Sequence, residues 1–437
     1  MSGIKLILGF GVTGLSTAKY FSKKKIEYKI FDTRNKTDID SLQISNLEQD
    51  LLYFKNYDTK IFEGIDEIII SPGFDKDHPI LKDIYEREIP VSTDIDLFKD
   101  LCNKPIISVT GTNGKTTVVS MIEHVLCSLG RKSIACGNNG VPPLGINPDD
   151  YDYIILELSS YQLENMRNHK SYISLITNIH HDHLERHITM HHYLNIKLNI
   201  FNSCEYPLIN ISMMNKLKEY NYKDELIIYG LSNEGLVLSG LVDDKISFDN
   251  KYIKHSDLRF EHNGIHNLEN ILGVCSITSL LNIPLSDSLR IIGGFIHLPH
   301  RIELVKHNNN INWYNDSKST NTASTKAALE HLDKDIILIL GGALKNMDYK
   351  ILSKLINEKV KLLVFIGENK NYIKKQLAIK TRVIDAHSIT DAVRICKDNA
   401  SKKDSVLFSP ASPSFDMFKN FEERGKAFKE AIKNNVT

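Results

Sequence analysis

Short apolar runs alternate with stretches of helical period along most of this chain, and glycines or polar residues bound each run. Residues 4–8, 28–31 and 67–70 read as strands with helical sequence between them, and this first unit closes near Thr93. A second unit opens at Asp94, with strands expected at 105–109, 154–157 and 173–178. Residues 208–262, rich in Tyr and Ile with glycine-punctuated alternation, predict a few antiparallel strands. A third unit follows Leu298-Pro299, with strands at 336–340, 362–366 and 406–408, each leading into helical sequence. Such strand–helix alternation implies mainly parallel sheets with ligands at the carboxyl ends of the strands. The pattern therefore predicts an α/β protein of three domains, 1–93, 94–298 and 299–437, the central one with a small antiparallel part.

Composition narrows the function classes. Lys plus Arg and Asp plus Glu are equal, at 54 each in 437 residues, so net charge makes no case for nucleic acid or an acidic membrane surface. Cys102, Cys127, Cys136, Cys204, Cys275 and Cys396 lie far apart with no Cys-x-x-Cys pair, which points to a reducing compartment and away from a disulfide or zinc framework. No apolar run reaches the length of a membrane span. The run at 4–8 is short and opens onto glycines, so it reads as a first strand and not a targeting segment.

The densest chemical signal is Gly111-Thr112-Asn113-Gly114-Lys115-Thr116-Thr117, set between a strand and a helix. Glycines at 111 and 114 let backbone N–H groups curl around a phosphate at the helix N-terminus. Lys115 offers a charge to the outer phosphates, and the Thr116 hydroxyl suits a magnesium ion. Val109 stands where the full Walker pattern wants glycine, so this is a shorter form of the loop. The central domain is accordingly read as P-loop ATPase-like. Glu157 ends an apolar strand, and a buried acid calls for a salt-bridge partner or a metal ion. Thr177-Asn178-Ile179-His180-His181-Asp182-His183 follows the next strand. Its histidine density invites zinc, but neither an H-E-x-x-H pattern nor a cysteine partner accompanies it. One histidine joining Glu157 around magnesium fits better.

The first unit carries Gly9-Phe10-Gly11-Val12-Thr13-Gly14 directly after a strand, with Asp32 at the end of the next. This is the Rossmann-type dinucleotide fingerprint, and any tight strand-to-helix turn uses similar glycines. Taken by itself it leaves a nicotinamide dinucleotide open.

Together these segments resemble the Mur ligase family. The phosphate loop, the Glu157 strand, Asn178 through His183 and Lys197 fall in the family's order. Gly264-Ile265-His266-Asn267-Leu268-Glu269-Asn270, Leu298-Pro299-His300-Arg301 and Asn315-Asp316-Ser317-Lys318-Ser319-Thr320-Asn321 follow, so the resemblance spans essentially the whole chain. Within the family, Ser409-Pro410-Ala411-Ser412-Pro413-Ser414-Phe415-Asp416 and the run to Gly425 resemble the members that add D-glutamate. The resemblance implies Rossmann-like terminal domains, the first for a UDP-sugar instead of a dinucleotide and the last for an amino acid. It implies a monomeric bacterial cytoplasmic enzyme of peptidoglycan precursor synthesis. Its small-molecule substrates would be ATP, UDP-N-acetylmuramoyl-L-alanine and D-glutamate, joined through an acyl phosphate.

The resemblance also implies site residues. Lys115, Glu157, His183 and Lys197 would be catalytic, with Thr116, Glu157, His183 and Lys197 around magnesium. Lys197 serves there only as a carbamate, since an ammonium cannot ligate a cation; the alternative is a surface lysine on a helix. Asn267, Asn270, Arg301 and Asp316 would join the phosphate loop in holding ATP. Val12, Thr13, Asp32, Thr33, Arg34 and Gly73 would hold the UDP part, with Asn138 near the muramoyl chain. Thr320, Lys345, Ser414 and Phe421 would bind D-glutamate, where a cation and hydroxyls suit two carboxylates. Two departures from the family pattern stand out: no Asp follows Gly341-Gly342, and Asn139 replaces an apolar residue. Three rivals remain: a sibling ligase with another acceptor, including the folylpolyglutamate type; an oxidoreductase using residues 9–14; and a non-enzymatic ATP switch.

Overall fold

A computed structural model describes residues 3–39, 51–167, 170–219, 225–230, 265–296, 298–308 and 310–436, together with the backbone of 239–242, 245–248 and 251–254. The chain separates into two compact units. The first comprises Met1–Ile179, Thr189–Leu258 and Ile271–Ile292; the second comprises His180–Ile188, Arg259–Asn270 and Gly293–Thr437.

The first unit holds two parallel sheets. One contains β1 (Ile4–Leu8), β2 (Tyr28–Asp32), β3 (Leu52–Phe54), β4 (Ile65–Ile70) and β5 (Val91–Ser92) in the order β3-β2-β1-β4-β5. Strand order reverses between β1 and β4, which opens a crevice at their carboxyl ends. The loop after β1 and the segment Ser71-Pro72-Gly73 after β4 border that crevice.

The other parallel sheet contains β6 (Ile106–Thr110), β7 (Ser133–Gly137), β8 (Tyr153–Glu157), β9 (Ser171–Ile176), β10 (Cys204–Asn210) and β11 (Ile227–Tyr229). Its order is β11-β10-β9-β6-β8-β7, so β6 lies between β8 and β9. Val109 pairs with Glu157 on one side, and Thr110 pairs with Ile176 on the other. Ile107, Val109, Ile155 and Leu175 are fully buried, as expected for strands covered on both faces. Tyr20 and Leu97 pack against the cores of both sheets.

The expected antiparallel region needs a partial correction. β12 (Ser239–Val242), β13 (Lys245–Phe248) and β14 (Lys251–Lys254) do form an antiparallel sheet. β10 and β11, however, extend the parallel sheet: Leu208 pairs with Leu175 and with Ile227. Alternating Tyr and Ile signals a strand without specifying the direction of its neighbour. Residues 220–224, 231–238 and 255–262 of the expected stretch lie outside the described residues.

The second unit is built on β15 (Glu303–Asn308), β16 (Ile311–Asn315), β17 (Ile336–Leu340), β18 (Val360–Phe365), β19 (Arg382–Asp385) and β20 (Ser405–Phe408). The order is β15-β16-β20-β17-β18-β19, parallel except for the β15–β16 hairpin at one edge. Trp313, Ile337, Ile339, Val364, Phe408 and Phe428 form the core on one face. The loops after β16, β17, β18 and β20 therefore share the carboxyl edge of this sheet.

Candidate active site

The phosphate loop grows from the way β6 ends. Gly111 has φ +146°, and a Cβ there would lie 1.9 Å from Thr177 Oγ1, so only glycine fits. Gly114 has φ 84° and begins the helix Lys115–Ser128. The first N–H groups of that helix have no intrahelical partner and sit at the carboxyl end of β6. The loop is clamped by the segment after β9. Thr112 N–H donates to the Asn178 carbonyl (2.8 Å), and Asn113 N–H donates to Asn178 Oδ1 (3.0 Å). Asn113's carbonyl accepts from Asn178 Nδ2 (3.1 Å) and Thr177 Oγ1 (2.6 Å). The sequence placed Asn178 in the right motif without revealing this clamp. The only sequence signal was its position just past a strand.

Lys115 Nζ donates to the carbonyls of Gly111 (2.8 Å) and Thr112 (2.9 Å). Thr116 is half-buried on the first helical turn. Lys197 is 1% exposed, so the surface-lysine alternative does not hold. From the helix Met190–Leu198 its Nζ donates to Thr110 Oγ1 (3.1 Å) and the Gly111 carbonyl (3.0 Å). Two ammonium groups thus meet the carbonyl of one loop glycine. Tyr193, one turn before Lys197, hydrogen-bonds through its hydroxyl to Thr112 Oγ1 (3.1 Å).

Glu157 is equally buried. Its Oε1 accepts from Asn138 Nδ2 at 2.8 Å, while Oε2 is buried with no hydrogen-bond partner. A buried carboxylate oxygen in that condition costs free energy unless a cation takes it up. A hard divalent ion suits this oxygen and the Thr116 hydroxyl. Asn138, which the resemblance puts near the muramoyl chain, is also the residue that donates to this acid.

At the other sheet, Gly14 packs so closely that a Cβ would lie 2.0 Å from the Gly9 carbonyl oxygen. Asp32 accepts from Phe10 N–H (2.7 Å), Arg34 N–H (2.9 Å), Arg34 Nε (2.9 Å) and Arg34 Nη2 (2.9 Å). Those donors use about all four lone-pair sites of a carboxylate. The dinucleotide reading of residues 9–14 therefore loses its ribose acceptor. Val12, Thr33 and Gly73 are exposed around the crevice, and Thr13 is half-buried.

Burial pushes the Asp32 carboxyl up, but Arg34 and the Phe10 N–H more than offset this and hold it below the usual range. A depressed native value means that the stabilisation is present above the unfolded value, near ~4, and is lost as pH falls through the native one. Asp32→Asn is therefore expected to lower the melting temperature at neutral pH, with the gap to wild type closing as the solution is acidified. Melting curves across that range check it; a gap independent of pH contradicts it.

In the second unit, Asp182 is 8% exposed and fully engaged. Its Oδ1 pairs with Lys345 Nζ (2.5 Å), and its Oδ2 accepts from Asn321 Nδ2 (3.1 Å). Burial raises this carboxyl, yet His183 and Lys345 beside it bring it below its ordinary value. His183 lies 3.5 Å from Glu185 Oε1 and 3.6 Å from Asp182 Oδ2. The sequence marked Lys345 and His183 but missed Asp182 as the acid between them.

Asp316 accepts from Ser319 Oγ, Ser409 Oγ (2.7 Å) and Ile302 N–H (3.2 Å), and burial pushes its carboxyl up to about 6. Arg301 is half-buried two residues before β15. Asn267 and Asn270 lie three residues apart, hence on one face of the helix Ile265–Leu280. Thr320 follows β16, Ser414 follows β20 and is buried, and Phe421 opens the helix Phe421–Asn435. The Lys318 ammonium lies 3.8 Å from the centre of the Phe421 ring, a cation–π contact.

Comparison with known proteins covers the same ground. Residues 4–93 match the Mur ligase MurD-like, N-terminal domain; residues 109–278 match the Mur ligase middle domain; residues 300–412 match the Mur ligase, glutamate ligase domain. The chain is 32% identical over 435 residues to a UDP-N-acetylmuramoylalanine–D-glutamate ligase of Coxiella burnetii (strain Dugway 5J108-111), covering 98% of both. It is 37% identical over 432 residues to the protein of that name from Buchnera aphidicola subsp. Schizaphis graminum, covering 97% of this chain and 96% of the relative. Among solved structures, UDP-N-acetylmuramate-alanine ligase from Thermotoga maritima superposes with a TM-score of 0.62 at 17% identity over 99% of both chains. A pseudomurein peptide ligase type C from Methanothermus fervidus gives 0.63 at 18% over 99% of both. At such identities these two likenesses speak to the fold.

Proposed function

The chain belongs to the Mur ligase family, and we propose that it uses ATP to join D-glutamate to UDP-N-acetylmuramoyl-L-alanine in bacterial cytoplasmic peptidoglycan precursor synthesis. The observation that carries this reading is at the end of β6. There a glycine loop, Lys115, buried Lys197 and a buried carboxylate oxygen of Glu157 without a partner meet at one sheet edge. A backbone cradle, a lysine and a metal-holding carboxylate are the groups that phosphoryl transfer employs.

A carboxylate is a poor acyl donor until one oxygen becomes a leaving group. In the proposed reaction the alanyl carboxylate takes the terminal phosphoryl group of ATP, and ADP leaves. The D-glutamate amine then attacks the acyl carbon, a tetrahedral intermediate forms, and its collapse expels phosphate and makes the amide bond. Lys115 offsets the repulsion between the two approaching anions. Thr116 and Glu157 are the residues that would hold magnesium, with Lys197 joining them as a carbamate. When bound, that ion supplies further neutralisation of phosphate charge. Arg34, held by Asp32, offers a cation to the UDP diphosphate beside the first turn of the helix Val12–Lys24. Lys345, Thr320, Ser414 and Phe421 receive D-glutamate.

The hydrogen bond from Asn138 fixes which oxygen of Glu157 remains for a cation. Losing a partner of this kind typically costs about tenfold in metal affinity. Asn138→Ala is thus expected to raise the magnesium concentration for half-maximal turnover by about that factor, which a magnesium titration reads.

The reaction itself is tested by phosphate release from ATP with UDP-N-acetylmuramoyl-L-alanine and, in turn, D-glutamate, L-glutamate, L-lysine and diaminopimelate. Release with D-glutamate alone supports the assignment. Release with a different acceptor moves the chain to a sibling ligase. No release with any acceptor removes the substrate assignment.

A further inference from the structure

Arg424 belongs to the C-terminal motif, yet nothing in the proposed reaction employs it. It is 1% exposed on the helix Phe421–Asn435. Its Nη1 donates to the carbonyls of Ser412 (2.9 Å) and Pro413 (3.0 Å), in the loop after β20. Its Nη2 donates to the Ser317 carbonyl (2.8 Å) and its Nε to Ser317 Oγ (3.1 Å), in the loop after β16. Ser317 Oγ in turn donates to the Phe421 carbonyl (2.8 Å). The loop after β17 closes on the same group. A Cβ on Gly342 would lie 3.1 Å from Nη1 and 2.4 Å from the Pro413 carbonyl oxygen.

One planar guanidinium therefore ties together the segments that carry Thr320, Ser414 and Phe421, and it abuts the segment that carries Lys345. Burying a charge to make bonds with carbonyls and a hydroxyl is costly, and an apolar side chain would fill the space more cheaply. Burial lowers the group only to about 10, so it stays charged at neutral pH. What the guanidinium provides that an apolar residue cannot is several N–H donors in a fixed fork.

We infer that Arg424 is the positioning residue of the acceptor pocket, setting the mutual spacing of the loops after β16, β17 and β20 on which amino-acid binding depends. This rests on the proposed reaction for the identity of the acceptor, but not for the existence of the hub. Lysine keeps the charge without the fork, so Arg424→Lys breaks the hub selectively.

The test compares wild type, Arg424→Lys and Ser317→Ala by two readouts. The first is amide hydrogen exchange in residues 317–320, 341–345 and 412–418 without any substrate. The second is KM for D-glutamate set against KM for ATP. Losing one or two bonds to a buried charged donor is expected to raise the D-glutamate KM about tenfold to a hundredfold, with the ATP KM unchanged. Exchange in all three loops should quicken together, and Ser317→Ala should move both readouts the same way by less. Unaltered exchange and KM values overturn the hub, as does an equal loss of ATP and D-glutamate affinity, which marks general damage. Should Arg424→Lys not fold, Ser317→Ala decides the matter by the same criteria. If wild type turns over no D-glutamate, the reaction assignment fails while the exchange data still decide the hub.

Discussion

Lys115→Ala is expected to lower ATP-dependent turnover about a hundredfold to a thousandfold, the range for removing one preorganised group that stabilises transition-state charge. The Lys115 ammonium now rests on the carbonyls of Gly111 and Thr112, poised at the mouth of the loop. Lys197 donates to Thr110 Oγ1 and to the same Gly111 carbonyl, so the two ammonium groups flank one loop glycine. Both of the Lys115 contacts are to carbonyls of the loop itself, so the loss of turnover should far exceed any shift in melting temperature. A steady-state assay beside a melting curve separates the two effects. A variant that keeps wild-type turnover would remove Lys115 from the chemistry.

The second large effect is expected for Glu157→Gln. The amide is nearly isosteric, so β8 and its pairing with Val109 should persist. The substitution removes the charge from the oxygen that has no hydrogen-bond partner. If that oxygen takes a divalent cation, several kcal/mol of charge stabilisation is withdrawn, and turnover falls about a hundredfold or more. The sign on stability is opposite. A buried carboxylate with one unsatisfied oxygen is costly, so the glutamine variant should melt at the same temperature or higher without magnesium. Lower activity with equal or greater stability is the signature of a residue kept for function. Lower activity together with lower stability would make Glu157 a structural acid.

Much of the fold was legible because parallel strands buried on both faces are continuous apolar runs. Residues 336–340, Ile-Ile-Leu-Ile-Leu, leave little room for another reading. β7, Ser133–Gly137, escaped notice because serine, alanine and glycine give it no apolar run. β10 and β11 were legible as strands but not as parallel ones, since direction is set by the neighbour and not by the strand's own pattern. The phosphate loop was legible because its chemistry needs glycines and a lysine at fixed local spacing. Contacts made across long separations were not. Asp182 meets Lys345 across 163 positions, and Arg424 meets Ser317 across 107. No local pattern encodes such pairs; they exist only once the carboxyl ends of the strands have gathered their loops. Asp32 shows the converse: its place fits a ribose acceptor in sequence, and its Arg34 partner reassigns it in space.

In the proposed reaction a carboxylate of the UDP-substrate is activated as an acyl phosphate and captured by D-glutamate. The most direct measurement of this uses UDP-N-acetylmuramoyl-L-alanine labelled with heavy oxygen in the alanyl carboxylate, with ATP, magnesium and D-glutamate, followed by mass spectrometry of product and phosphate. The expected result is a product heavier by one glutamyl residue, with one labelled oxygen transferred to the released phosphate. Phosphate without label, or no glutamyl product, would contradict it.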